Sequence, residues 1–361
     1  MQVNTRHIPE LQSLRGLAAC VVMVHHALRT IDGANASFWI SEKILNAHAA
    51  VVIFFVLSGY VLTLSLHTKK MTPKTVGSFW IRRAFRIYPA LIVASLLGLI
   101  YFFLLSSFII AGQSAWMNEN YLPSSFSTFH VALSFMGVNG FLLPQSWTIT
   151  VELVVSILLP VMVLIMARGR AWGIATIAAL AALSIMFGAG VKQVPLYLVC
   201  FAIGAAPALY PEFRAVKLNT AVIALAALAL LFFRHLAPWQ YHDPLPSLVE
   251  AVASAVLIVR ISNQPPTFMR ARPLTLVGDW SYSIYLFHLP IAFALAKITL
   301  LSPLRNAPDA AATAVALTTT AITVAVSAVT YNLVELPPIR ISKEIVKWYA
   351  NAVGRPAQSA A

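Results

Sequence analysis

Ten apolar stretches, each close to the length that crosses a lipid bilayer, follow one another with only short polar connections between them. They run over about 11–30, 46–66, 87–110, 147–167, 172–190, 194–210, 218–236, 247–262, 276–297 and 312–334. A helix needs about 20 apolar residues to cross the hydrocarbon core, and inside lipid only helices and closed barrels satisfy their own backbone. Runs this long and continuous predict an all-α integral membrane protein with about ten transmembrane helices. Composition agrees: 59% of the chain is hydrophobic and 10% is charged, against about 25% charged in a soluble domain. The stretch 124–144 is broken by Gly137, Asn139, Gly140 and Pro144 and reads as a re-entrant or interfacial piece. The first run lacks a small-residue cleavage site, so it is expected to stay as a span.

Charge sets the orientation. The connection 67–86 carries Lys69, Lys70, Lys74, Arg82, Arg83 and Arg86 and is assigned to the cytoplasm. Alternation from there places 19 of the 25 Lys and Arg residues inside and 6 outside, with Arg6, Lys217 and Arg355 on the inner side and Lys192 on the outer. Both termini are then cytoplasmic. The net charge of +13 is accounted for by these loops and anionic lipid, with no need for nucleic acid. Cys20 and Cys200 lie in apolar runs and read as packing residues. No cysteine pair or His-Glu-x-x-His pattern suggests a metal site.

Ionisable groups inside spans are costly and point to function by default. Arg15 and His26 are eleven residues apart on the first span, roughly 16 Å along one helical face. His25 points about 100° away from His26, so at most one of the two rings shares a cavity with Arg15. Either ring could serve as a base, or be a core histidine bonded between helices. Ser58, Gly59 and Tyr60 fall within the second span, where small residues permit close helix packing or passage of a thin acyl chain. Arg82 and Arg86 share a face with Arg83 beside them; guanidinium forks suit phosphate, and topogenic charge explains them equally. Thr148, Glu152 and Ser156 form a polar stripe after Trp147, with Glu152 able to orient an imidazole or pair with an arginine. Ser281, Tyr285 and His288 line one face of the ninth span. Glu335-Leu336-Pro337 closes the last span, with Pro337 read as a helix terminator.

In order along the chain, these segments resemble the motifs of the membrane-bound acyltransferase family 3. Leu14-Arg15-Gly16 through His26 is similar to its arginine, ten-residue, histidine signature. Phe54-Phe55-Val56-Leu57-Ser58-Gly59-Tyr60 is similar to FFxLSGF, and Arg82-Arg83-x-x-Arg86-Ile87-x-Pro89 to RRxxRIxP. Trp147-Thr148-x-Thr150-Val151-Glu152 resembles WSLSVE, and Ser281-Tyr282-Ser283-x-Tyr285-Leu286-x-His288 resembles SYxxYLxH. Val52 stands where the family often has an acid, and His25 where it often has tyrosine.

The resemblance implies a family domain over 1–338 and a cytoplasmic tail over 339–361, in a multi-pass protein of the bacterial inner membrane. It implies transfer of an acyl group, acetyl first and succinyl next, from cytoplasmic acyl-CoA to a hydroxyl of an extracytoplasmic or lipid-linked carbohydrate. His26 would be the base or transient acyl carrier, Arg15 its basic partner and Glu152 the orienting acid. Arg82, Arg83, Arg86, Ser58, Gly59 and Tyr60 would hold the coenzyme; Trp147, Thr148, Ser281, Tyr285, His288 and His25 would support the site. Polysaccharide-biosynthesis proteins are the implied partners. A transporter or flippase for a lipid-linked sugar, using the same His and Glu residues as a relay, is the rival reading.

Overall fold

The computed structural model describes residues 8–67, 70–121, 126–187, 193–216 and 218–353. Arg6, Lys69, Lys192, Lys217, Arg355 and the last eight residues of the expected tail lie outside the described residues. The chain forms α1 (Pro9–Leu28), α2 (Asn35–Lys43), α3 (Ala47–His67), α4 (Pro73–Leu105), α5 (Ala115–Asn120) and α6 (Thr128–Phe135). It continues with α7 (Trp147–Met166), α8 (Arg170–Phe187), α9 (Gln193–Leu209), α10 (Pro211–Ala215) and α11 (Thr220–Phe232). The last helices are α12 (Pro244–Asn263), α13 (Arg272–Leu300), α14 (Pro308–Thr330) and α15 (Leu336–Val353). Among the described residues there is no strand; a single bridge joins Ile31 and Gln113.

Eight helices are long and apolar enough to cross a membrane, and Val194–Leu209 and Thr220–His235 are shorter apolar ones. Together they fall on the ten stretches expected from the sequence. The protein is a multi-pass helical membrane protein. Among the described residues, the broken stretch 124–144 holds α6, and a 3₁₀ turn follows at Pro144–Ser146. Large apolar side chains such as Ile100, Phe103, Ile174 and Leu225 face outward, as a helix surrounded by lipid requires, since lipid does not drive apolar groups inward.

What brings the helices together is the absence of side chains. α1 packs on α13, and α3 packs on α9. A Cβ on Gly16 would stand 2.6 Å from the Gly278 nitrogen, and one on Gly278 would stand 2.3 Å from the Gln12 oxygen. At the other crossing a Cβ on Gly59 would meet the Phe201 oxygen at 2.2 Å, and one on Gly204 the Val56 oxygen at 2.0 Å. Gly59 is therefore a packing residue, and the neighbouring Ser58 is free to face a cavity.

One expectation is corrected. Pro337 does not end the last helix; a wide turn at Tyr331–Glu335 redirects the chain into α15, which packs on α4. Proline costs nothing in the first turn of a helix, where its missing N–H would have had no partner.

Because backbone oxygens cannot rotate away, Gly204→Ala is expected to lose about 1–3 kcal/mol of stability. Thermal unfolding of the purified protein should show it as a lowered Tm with less monodisperse material. Ala224→Val, on an exposed position of α11, should change neither.

Candidate active site

Arg15 and His26 lie on the face of α1 that meets α13, and each finds its partner there. Arg15 Nε donates to Ser281 Oγ at 2.8 Å and its terminal nitrogen to the Gly278 carbonyl at 3.2 Å. Three turns further out, His26 Nδ1 lies 2.9 Å from His288 Nε2, with the two rings nearly coplanar. The protons on this pair can be assigned from its surroundings. His288 Nδ1 faces the carbonyls of Tyr285 at 2.7 Å and Ile284 at 3.2 Å. Carbonyls only accept, so His288 Nδ1 carries the proton and its Nε2 is bare. His26 must then donate from Nδ1, which leaves the lone pair on His26 Nε2. A backbone-fixed histidine thus sets the tautomer of a second one, as a carboxylate does in other His sites.

His25 has a different task. Its Nδ1 bonds the carbonyls of Ser41 at 2.9 Å and Leu45 at 3.2 Å, fastening α1 to α2 and the turn after it. Its other nitrogen, Nε2, lies 3.9 Å from the Glu42 carboxylate, whereas His26 Nε2 meets no partner among the described residues.

Glu152 is not brought to His26. It pairs with Arg83 at 3.0 Å, and Arg83 also donates to Ser156 Oγ at 3.0 Å. The lower part of the α7 stripe therefore receives a guanidinium, and its upper member, Thr148, donates to the Tyr285 hydroxyl at 3.0 Å. Tyr285 in turn donates to the Gln145 carbonyl at 2.9 Å. Arg86 pairs with the buried carboxylate of Glu335 at 2.6 Å, which also accepts from Ser283. Arg82, by contrast, bonds no other described residue. The three arginines do not form one fork: two are neutralised by carboxylates, and the third faces elsewhere.

These groups line three cavities in series. The inner one, about 280 Å³, is bounded by Gln12, Arg15, Ser58, Tyr60 and Arg83. Arg15, Ser58 and Arg83 also line a middle chamber of about 90 Å³, with Glu152, Ser281 and Arg86. The outer cavity, about 330 Å³, is lined by His26, Trp116, Gln145, Trp147, Tyr241 and His242. Val51 and Tyr285 belong to the walls of both the middle and outer chambers. Arg15 and His26 thus sit at opposite ends of a path that narrows in the middle.

A second polar cluster borders the outer cavity. Glu250, fully buried, pairs with Arg234 at 3.2 Å, accepts from Asn46 at 3.0 Å and lies 2.5 Å from His48 Nδ1. His48 Nε2 is 2.7 Å from the Tyr197 hydroxyl, which is 3.0 Å from His242 Nδ1. None of these six residues was singled out in the sequence. The signal was present for three of them, since His48, Arg234 and Glu250 are ionisable residues inside apolar stretches. His48 lies one turn outward of Val52 on α3.

The family model described as an acyltransferase domain matches residues 8–332. Acyltransferase MdmB of Streptomyces mycarofaciens is 25% identical over 369 aligned positions, covering 92% of each chain. Nodulation protein 10 of Rhizobium leguminosarum bv. viciae is 30% identical over 199, half of this chain and half of its own length. Peptidoglycan O-acetyltransferase OatA of Listeria monocytogenes is 33% identical over 100, covering 27% of this chain and 14% of its own. No solved structure matches.

The two neighbouring histidines should separate experimentally. His25→Ala orphans two carbonyls and is expected to cost about 1–3 kcal/mol. His26→Ala orphans one acceptor, His288 Nε2, beside a cavity that water can fill, and should lower the Tm of the purified protein less. Equal losses would contradict the assignment of roles.

Proposed function

Because the chain belongs to the membrane-bound acyltransferase family 3, we propose that it transfers an acyl group from acyl-CoA, acetyl-CoA first, to a hydroxyl of an extracytoplasmic or lipid-linked carbohydrate, at the bacterial inner membrane. The observation that carries this reading is the bare His26 Nε2 in the wall of an outer cavity that meets, at Val51 and Tyr285, a path beginning at Arg15. An imidazole with a fixed tautomer can take a hydroxyl proton or attack a thioester; either use needs that lone pair.

The inner path suits a thin, anionic donor. Arg15, Arg83 and Arg86 stand against Glu152 and Glu335, three positive charges to two negative, so one positive charge is left to attract phosphate. Arg82 lacks a carboxylate partner among the described residues and is the arginine free to meet a phosphate outside the chambers. The middle chamber, about 90 Å³, is the space of about three waters at roughly 30 Å³ each, so it admits a thin segment of the pantetheine arm at a time and not a nucleotide. The nucleotide then stays on the cytoplasmic side, and the thioester reaches His26 past Ser58 and Tyr285.

The outer cavity suits a sugar hydroxyl. Its lining mixes the flat rings of Trp116, Trp147 and Tyr241 with polar groups. Gln145 donates its amide to the Leu286 carbonyl at 2.8 Å, while its buried oxygen has no partner among the described residues. An incoming hydroxyl would satisfy that oxygen. The name of the peptidoglycan O-acetyltransferase supports a carbohydrate acceptor by likeness. Polysaccharide-biosynthesis proteins are the partners this role would call for.

Purified protein in nanodiscs should release CoA from acetyl-CoA, which a sugar flippase would not touch. His26→Ala should lower that rate by at least about 10²-fold with folding intact; wild-type turnover in this variant would sink the assignment. Arg15→Lys should fall nearly as far as Arg15→Ala, because one ammonium cannot reproduce the paired bonds to Ser281 and Gly278. Full activity of the lysine variant would show that charge alone suffices.

A further inference from the structure

The cluster beside the outer cavity has a direction. Glu250 is ionised by its pairing with Arg234. Its carboxylate oxygen and an Arg234 terminal nitrogen both approach His48 Nδ1, at 2.5 and 2.8 Å. With the shorter contact taken as the hydrogen bond, His48 Nδ1 donates to Glu250, since a carboxylate only accepts. The bare His48 Nε2 then accepts from the Tyr197 hydroxyl, and the Tyr197 oxygen accepts from His242 Nδ1. The second ring nitrogen of His242 is left bare, with no partner among the described residues, on a side chain that lines the outer cavity. Four groups from α3, α9, α12 and the loop before α12 thus point their donors one way, from the cavity toward a buried carboxylate.

We propose that His242, Tyr197, His48 and Glu250 form a proton wire that accepts the hydroxyl proton of the acyl acceptor in the outer cavity. The proposal rests on the acyl-transfer reading above. As the acceptor oxygen bonds to the acyl carbonyl carbon, its O–H bond breaks and the proton passes to His242 Nε2. The His242 Nδ1 proton moves to the Tyr197 oxygen, and the Tyr197 proton to His48 Nε2. The positive charge comes to rest on His48 against Glu250. The electron pair of the broken acyl bond leaves on the group that carried the acyl, the CoA sulfur or the His26 nitrogen. Where sulfur leaves directly, the thiolate takes a proton from cavity water as the wire resets in reverse. Where His26 carried the acyl, its cationic ring leaves neutral with Nδ1 still protonated, and the thiolate freed earlier is the group that takes the proton.

Burial, with His48 and Arg234 nearby, pulls the pKa of His242 down to about 4, so the ring is neutral at pH 7 and its lone pair is available. The same shift would make an isolated His242 a feeble base. Passing the charge to His48 moves it out of the cavity onto a ring that faces the Glu250 carboxylate at 2.5 Å, with the Arg234 guanidinium opposing it at 2.8 Å. The groups facing His242 are Trp147 of α7, Tyr197 of α9, His48 of α3 and Tyr241 and Arg234 of the adjoining loop, with Glu250 behind His48. His25, His26 and Arg29 line the same cavity.

Tyr197→Phe tests the wire, since it removes one oxygen and keeps the ring that packs on Phe55 and Trp147. The probe is acetyl-CoA with the full-length protein in nanodiscs, water serving as the smallest acceptor. CoA release is followed from pH 6 to 9 and in H₂O–D₂O mixtures. The variant is expected to lose about 10–100-fold in kcat at pH 7 with KM for acetyl-CoA unchanged, part of the general-base contribution. The loss should shrink as pH rises and hydroxide replaces the base. The wild type should show a curved dependence on deuterium fraction, and the variant a linear one. His242→Gln, on the loop, should behave alike. Unchanged kcat in both variants, or a pH-independent loss with a raised KM, overturns the wire and leaves a loop fastener. If the wild type itself releases no CoA, the thioester reading fails and the wire fails with it; an active wild type with indifferent variants fails the wire alone.

Discussion

The contact between α1 and α13 is the constraint from which the rest follows. Two glycines, Gly16 and Gly278, let the two backbones touch at the crossing, and that closeness lets Arg15 reach a backbone carbonyl on the partner helix. A guanidinium and an imidazole on one apolar helix would each carry a large desolvation cost if they faced lipid. Pressed against α13, the first is held by Ser281 and Gly278 and the second by His288. The alignment of the two groups on α1 and the glycines that admit them are one device, because either without the other would leave a buried polar group unsatisfied.

The carboxylates obey the same requirement. Glu152, Glu335, Glu250 and Glu10 each meet an arginine: Arg83, Arg86, Arg234 and Arg270. Breaking such a pair by removing one partner costs about 3–5 kcal/mol where it is buried. Paired in this way, the acids and bases of the interior are largely fixed in charge. The groups left able to change protonation are the histidines, and they gather around the outer cavity: His25, His26 and His242 in its wall, with His288 and His48 behind. Chemistry that moves protons belongs on that side, and charge that attracts anions belongs on the other.

Much of this was legible in the sequence. Periodicity and length placed most of the spans within a few residues, because backbone satisfaction in lipid leaves so few alternatives. The exception is α4, which begins at Pro73 rather than near 87 and takes Arg82, Arg83 and Arg86 into the helix. The polar stripes were visible too: Thr148 and Glu152 on one helix, Ser281, Tyr285 and His288 on another. Their pairing was not. His26 and His288 are 262 positions apart, and nothing local says which helix faces which. Glu152 was the natural candidate to orient His26, yet Arg83 lies nearer and carries a full charge, so it claims the carboxylate. Pro337 misled for a local reason, since a proline that stops one helix also opens another. The His48–Glu250 pair was passed over because each residue stands near the end of its span, where an ionisable group reads as an interfacial charge.

The meeting of the middle and outer chambers follows from the same economy. A wide, wet passage between an arginine-lined chamber and one rich in histidines would let water and protons through the membrane. The middle chamber is instead the smallest of the three, and its outer limit is set by Val51 and by Tyr285. Tyr285 is not loose: its hydroxyl is held by Gln145 and Thr148. Those two hydrogen bonds, each worth about 0.5–1.5 kcal/mol, fix the ring in the wall that the two chambers share.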